Sequence, residues 1–423
     1  MTAHLAILLL GEHVADVERT RAGSLRLTYT RRALRDGGTP LSLSLPREGG
    51  SFVGERVATY LWGLLPESPE ALAAIRRTHG ADPRDPLSLL DAIGLDCAGA
   101  VQFCDPERLE SDDLRPPWQL DVATPGEVEE RLSQMRLDEE ASWTMREQHW
   151  SLGGTQAKLT LHRREDAWFW PLGGAPSTHV VKPGVRTVRS QALIEHVTTR
   201  AAELLGLAVA HAEYLDFASE RAVVSTRFDR PLVDGAVARA HQEDLCQALG
   251  VREKYEEDGG PTAGDIARLL RESAATALAA DRNVRAFADG LLYNALVAAP
   301  DAHARNYAVL LDGDAVTLAP MYDVATGLAY DPPPGRDREL AMSVGGSTRA
   351  DALTRSRIRE LAEDLRLEVD HLEDRVRSLA SGLPEAFRTA LAEVEDWDGS
   401  VTELRSRLLP RVDEAADATA RLA

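Results

Sequence analysis

Four short stretches carry residue types suited to handling a nucleotide phosphate. The first is Asp301-Ala302-His303-Ala304-Arg305-Asn306. In the spacing D-x-x-x-x-N, the carboxylate takes a proton from an attacking hydroxyl and the amide oxygen holds a magnesium ion. Taken alone, the same spacing more often marks a helix end with capping residues. The second is Asp323 in Pro320-Met321-Tyr322-Asp323-Val324, just past an apolar strand pattern. One Asp and one Asn supply the hard oxygen ligands that Mg²⁺ prefers. The third is Lys182, closing His179-Val180-Val181-Lys182, with Glu195 inside the helical pattern that follows. A strand lysine held by a helix glutamate can grip α and β phosphates, although many strand lysines only guard an edge. The fourth is Ser151-Leu152-Gly153-Gly154-Thr155-Gln156-Ala157-Lys158. A glycine pair ahead of a strand can fold over phosphates through backbone N–H groups; a plain hairpin turn is the simpler reading.

The elements that must position these residues can be read from periodicity. Residues 1–60 carry strand signals: an apolar run at 5–10, then alternation at 24–29 and at 41–45, with Gly37-Gly38 and Pro40 marking a turn. Residues 61–105 read as short helices broken by Pro66, Pro69, Pro83 and Pro86, and residues 105–126, rich in proline, as a linker. Strand signals return at 159–161, 168–170, 179–182 and 222–226, interrupted by one helix over 191–205 that Gly206 closes. From about residue 241 the pattern is helical, apart from a β pair at 307–311 and 316–318 around Asp312-Gly313-Asp314. Strands followed by helices predict an α+β fold. The glycine-rich loop, strand lysine, helix glutamate, Asp-x₄-Asn and second Asp occur in the order of a protein kinase, with nucleotide in the cleft between two lobes.

Composition narrows the classes. The 423 residues include 68 acidic against 48 basic ones, a net charge of −20, so bulk electrostatics disfavours nucleic-acid binding. Three cysteines, Cys97, Cys104 and Cys246, are too few for a disulfide scaffold and lack zinc spacing. With no long apolar run, the reading is a soluble cytoplasmic protein without a membrane span. His241-Gln242-Glu243-Asp244-Leu245-Cys246 contains metal-ligand types, but they do not share one face of a helix or strand. His303 is read as loop structure and Asp229 as an ion-pair anchor.

Assembled, these residues resemble the HipA-type serine/threonine kinases, the toxin halves of bacterial type II toxin–antitoxin pairs. Residues 61–67 (Leu-Trp-Gly-Leu-Leu-Pro-Glu) and 96–100 are similar to the family's N-terminal subdomain. Residues 151–158 resemble its glycine-rich loop, 178–182 its lysine strand, and Arg227-Phe228-Asp229-Arg230 its hinge. Residues 241–250, Lys254-Tyr255 and Gly259-Gly260-Pro261 resemble a further block, and 301–306 and 319–324 the catalytic and metal loops.

The resemblance implies a two-lobed kinase-like fold: an N-terminal subdomain over 1–110, a β-rich lobe over 111–230 and a helical lobe over 231–423. It implies ATP and Mg²⁺ as cofactors, Asp301 as the base, and Asn306 and Asp323 as the metal ligands. Leu152, Gly153, Gly154, Thr155, Gln156, Lys182, Glu195, Thr226, Phe228 and Tyr322 would surround ATP, and Ser151 would be the autophosphorylated serine. It implies growth arrest and persistence through a translation-related target such as an aminoacyl-tRNA synthetase. The implied partner is a small helix-turn-helix antitoxin through which alone the chain meets DNA. The alternative is a catalytically weak kinase-fold corepressor beside that antitoxin. The chain departs from the family pattern at Ala299-Pro300, at Thr226, and at Arg305, where a lysine is usual.

Overall fold

The computed structural model describes residues 4–36, 38–137, 149–185, 188–332, 334–350 and 353–420; Gly37 of the expected turn and the stretch 138–148 lie outside them. An antiparallel sheet opens the chain, in the order Ser51–Val53, Leu25–Tyr29, Glu12–Arg19, His4–Leu9, Val101–Cys104. Its inward side chains, among them Leu5, Ile7, Val17 and Leu27, pack on the helices Glu55–Gly63, Pro69–His79 and Pro86–Ile93. The last two begin with proline behind a capping Ser68 or Asp85, a start that spares a backbone donor and satisfies another.

Two readings of this region need correction. Residues 41–45 are not a strand. Their alternation arises because Leu41 and Leu45 both plug the core beside Tyr29, whose hydroxyl donates to Leu45 O and accepts from the Leu41 N–H. Conversely, Glu12–Arg19 is a central strand that its charges concealed: only Ala15 and Val17 are fully buried, while the other residues reach solvent.

The second sheet has six strands, ordered Ala212–Phe217, Glu220–Thr226, His179–Lys182, Leu159–Arg164, Ala167–Pro171, Leu120–Val122. The proline-rich stretch expected to be a linker therefore supplies its edge strand, paired to Phe169, Trp170 and Pro171. The helix Pro125–Leu137 then covers one face through Val128, Leu132 and Met135. The lysine strand is central: His179, Val180 and Val181 pair on both sides, and Lys182 at its end pairs with Val223.

The helix Gln191–Leu204 belongs to the second core as much as to the sheet. Leu193, Ile194, Val197 and Ala201 join the large cluster formed by the helices Ala263–Glu272, Ala277–Leu296, Arg355–Leu365, Val369–Ala392 and Ser400–Ala420. A three-stranded sheet, His241–Asp244, Ala308–Asp312, Ala315–Leu318, sits within that helical region. Its first strand is the stretch weighed as a metal cluster. There His241 Nε2 donates to Leu41 O, Glu243 accepts from the Leu43 N–H at 2.7 Å, and Asp244 caps the short helix Leu245–Leu249. His241 and Glu243 thus stitch the helical region to the N-terminal unit.

Candidate active site

A cleft of about 420 Å³ opens between the six-stranded sheet and the helical region. Its lining brings together every candidate residue except Ser151: Leu152, Gly153, Gly154, Thr155, Gln156, Lys182, Glu195, Thr226, Phe228, Asp301, Asn306, Tyr322 and Asp323. Residues far apart in the chain, from Leu152 to Asp323, converge on one concavity, as a nucleotide site requires.

At its centre Lys182 Nζ lies 2.9 Å from Glu195 Oε1 and 2.5 Å from Asp323 Oδ1. Burial opposes the charge on Asp323, but Lys182 above all, with Lys158 and His303, holds its carboxyl below the ordinary range. Burial pushes Glu195 the other way, upward, while Lys182 is held protonated against burial by Asp323 and Glu195. Asp323 also adopts a left-handed backbone conformation, φ 57°. Such a conformation in a non-glycine residue is kept where surrounding structure imposes it.

The loop 301–306 follows the buried helix Ala277–Leu296. The unusual Ala299-Pro300 is accommodated by three bonds: Ala299 N–H to Asn294 O, Gly327 N–H to Ala298 O, and Thr326 Oγ1 to Val297 O. Asp301 is exposed and accepts from the Tyr255 hydroxyl at 2.7 Å. His303 is buried, 3.7 Å from the same carboxylate and edge-on to the Tyr255 ring. Asn306 Nδ2 donates to Asp301 O at 2.6 Å, which turns its amide group within the loop and leaves the amide oxygen as an acceptor. Asp323 retains its second carboxylate oxygen beside the Lys182 contact. This donor set fits a hard divalent cation.

Opposite, the Phe228 and Tyr322 rings lie 5.5 Å apart, and Tyr322 donates to Arg305 O. Thr226 shares a hydrogen bond with His179 at the sheet end. Lys158 Nζ is buried 2.5 Å from Gly153 O, and burial together with nearby Lys182 lowers its pKa to about 8. Ser151 stands behind this wall, fully buried, and its Oγ donates to Leu64 O at 2.7 Å.

Behind the hinge, Asp96 accepts from Ser177 Oγ and is paired with Arg227, Arg230 and Arg239, while Asp229 pairs with Arg227 and Arg230 and accepts from the Gly99 N–H. Asp229 is thus an ion-pair anchor, as read from sequence. Lys158, Lys254, His303 and Glu67 also border the cleft. The sequence reading gave none of them a role in the cleft, because only the Gly-Gly loop, the Lys254-Tyr255 pair and the Pro66-Glu67 step marked them, and those marks carry no chemistry until folded.

Fold and cleft define a two-lobed, kinase-like protein with an added N-terminal unit. The HipA-like C-terminal domain model matches residues 150–387 and the HipA N-terminal domain model residues 5–104. The chain is 30% identical over 395 residues to the putative kinase Y4mE of Sinorhizobium fredii, covering 91% of each. It is 29% identical over 442 residues to the serine/threonine-protein kinase toxin HipA of Shewanella oneidensis, covering 98% of this chain and 97% of that one. Among solved structures it is similar to the Shewanella oneidensis HipA, HipB and operator DNA complex, with a TM-score of 0.80 and 25% identity, covering 98% of this chain and 99% of that one. The chain belongs to the HipA family of serine/threonine kinases. No described helix is long and apolar enough to cross a membrane.

Proposed function

We propose that this chain transfers the γ-phosphoryl group of Mg·ATP to a serine or threonine hydroxyl, as the toxin of a toxin–antitoxin pair. The observation that carries the reading is Lys182 bridging Glu195 and Asp323 in the same cleft as Asp301 and Asn306. In this reading the units are 1–110, 111–230 and 231–423, with adenine against Thr226, Phe228 and Tyr322. The loop 152–156 covers the phosphates, and Lys182 takes their charge while Glu195 fixes its direction. Asn306 and Asp323 would hold magnesium, which neutralises developing phosphate charge when bound. Asp301, exposed at the cleft mouth, orients the acceptor hydroxyl and takes its proton.

Ser151 is the proposed autophosphorylation site. Its burial against Leu64 O means that the loop must leave its seat before the hydroxyl can react. A phosphate there adds about −1.5 to −2 charges, and the loop cannot then return to a position facing a carbonyl. The partner is a small helix-turn-helix antitoxin like the HipB of the related complex. The −20 chain reaches DNA through it. The target is a cytoplasmic, translation-related protein such as an aminoacyl-tRNA synthetase, whose modification arrests growth.

Calorimetric titration of ATP into the full chain tests the site. Binding should need Mg²⁺ and weaken at least tenfold (about 1.4 kcal/mol) in Asp323→Ala. Equal affinity with and without Mg²⁺, unchanged by the substitution, would remove the assignment.

A further inference from the structure

Glu67 comes from the N-terminal unit, at the end of the Leu-Leu-Pro-Glu stretch, yet it lies in the cleft wall. Its Oε1 is 2.9 Å from Arg305 Nη1 and its Oε2 is 2.9 Å from Lys254 Nζ. All three side chains are mostly buried, 21%, 14% and 16% exposed. Two cations around one carboxylate, shielded from water, make a stronger tie than a surface ion pair. Burial opposes the Glu67 charge, and Arg305 with Lys254 outweighs it, holding the carboxyl below its ordinary range. Arg305 sits inside the loop that carries Asp301 and Asn306, and Lys254 O accepts from the Ala304 N–H of the same loop. The carboxylate therefore grips the candidate catalytic loop from two sides.

The backbone of the same residue grips the opposite wall. The Glu67 N–H donates to Gly154 O, and Pro66 pairs with Gly154 as an isolated parallel bridge. One turn earlier, Leu64 O accepts from Ser151 Oγ. Gly153 lies so close that a Cβ there would stand 3.1 Å from Gly63 O. The glycine-rich loop is seated on the 63–67 segment rather than only on its own sheet.

We infer that Glu67 is a positioning residue that clamps the glycine-rich loop to the catalytic loop, its backbone holding the first and its carboxylate the second. The inference rests on the phosphotransfer reading for its consequence, because the gap between those loops is where the phosphates would lie. Losing the carboxylate frees the 63–67 segment from the helical region, and the glycine-rich loop follows it.

The test uses the full chain and the variants Glu67→Gln, Glu67→Asp, Arg305→Gln and the Glu67→Gln/Arg305→Gln double. Without nucleotide, Glu67→Gln should speed amide exchange at residue 67 and across 151–158 by about tenfold, with the N-terminal sheet unaltered. With Mg·ATP, its dissociation constant should rise by about tenfold. Glu67→Asp, which keeps the charge, should recover part of both. The double variant should be little worse than either single one, since both remove the same tie. Unchanged exchange at 151–158 in Glu67→Gln, or additive effects in the double, would overturn the clamp. If wild type binds no Mg·ATP, the phosphotransfer reading falls, and the exchange measurements alone still decide whether Glu67 holds the loop.

Discussion

Lys182 Nζ and Asp323 Oδ1 stand 2.5 Å apart although their residues lie 141 positions apart in the chain. One comes from the centre of a sheet and the other from a left-handed residue after the three-stranded sheet. Each therefore sets the charge state of the other, and both face the place where phosphates and metal would meet. Lys182→Met should raise the KM for ATP and lower kcat, since a phosphate-directed charge acts in both ground and transition states. It should also leave Glu195 buried without its cation. A nucleotide titration in which Lys182→Met matches wild type would contradict the assignment.

Lys158 gives a pH dependence. Its pKa, lowered to about 8 by burial and Lys182, lies below that of the unfolded chain. Protonated Lys158 thus costs stability below about pH 8, and that cost is relieved as pH rises from about 8 towards the unfolded value near 10.4. Attraction for phosphate runs the other way, because neutral Lys158 gives none. Mg·ATP affinity should fall as pH rises from 7 to 9, and Lys158→Met should flatten that fall. An identical profile in the variant would show that another group is responsible.

Ser151→Asp places a carboxylate against Leu64 O in a fully buried position. The acceptor–acceptor contact costs on the order of 1–3 kcal/mol, enough to favour release of the glycine-rich loop. Limited proteolysis should cut the variant near 151–158 and titration should show weakened Mg·ATP binding, whereas Ser151→Ala should retain the seat. Equal protection of Ser151→Asp and wild type would refute the coupling.

The charges behind the hinge are structural. Asp96 is buried among three arginines, which outweigh burial and hold its carboxyl well below the usual range. Asp96→Asn should cost about 3–5 kcal/mol in chemical denaturation, since it leaves buried cations short of a partner. The same depressed pKa means that this stabilisation is present above about pH 4 and is lost as pH falls below it. A variant as stable as wild type would show that the network contributes little.

Much of the cleft was legible because its residues sit in short patterns that keep their chain order: the lysine after an apolar strand, the glutamate on the next helix, Asp301 and Asn306 at fixed spacing. Central strands such as His179–Lys182 were legible for the same local reason. What escaped depends on distant partners. Glu67 meets Lys254 across 187 positions, and nothing near Pro66 announces the meeting. The strand Ala212–Phe217 lies at a sheet edge with mostly half-exposed residues, so no periodicity marked it. Residues 41–45 alternate for a reason other than pleating, because Leu41 and Leu45 lock around one tyrosine hydroxyl.

Phosphotransfer itself is the central claim, and the direct measurement is incorporation of γ-labelled phosphate from Mg·ATP by the purified full chain and its Asp301→Asn variant. Asp301 is exposed and tied mainly to Tyr255, so the variant should fold and melt as wild type does. The account predicts labelled protein serine or threonine with wild type, and a rate lower by about 10²–10⁴-fold with Asp301→Asn. Incorporation by the variant at the wild-type rate, or none by wild type that binds Mg·ATP, would contradict it.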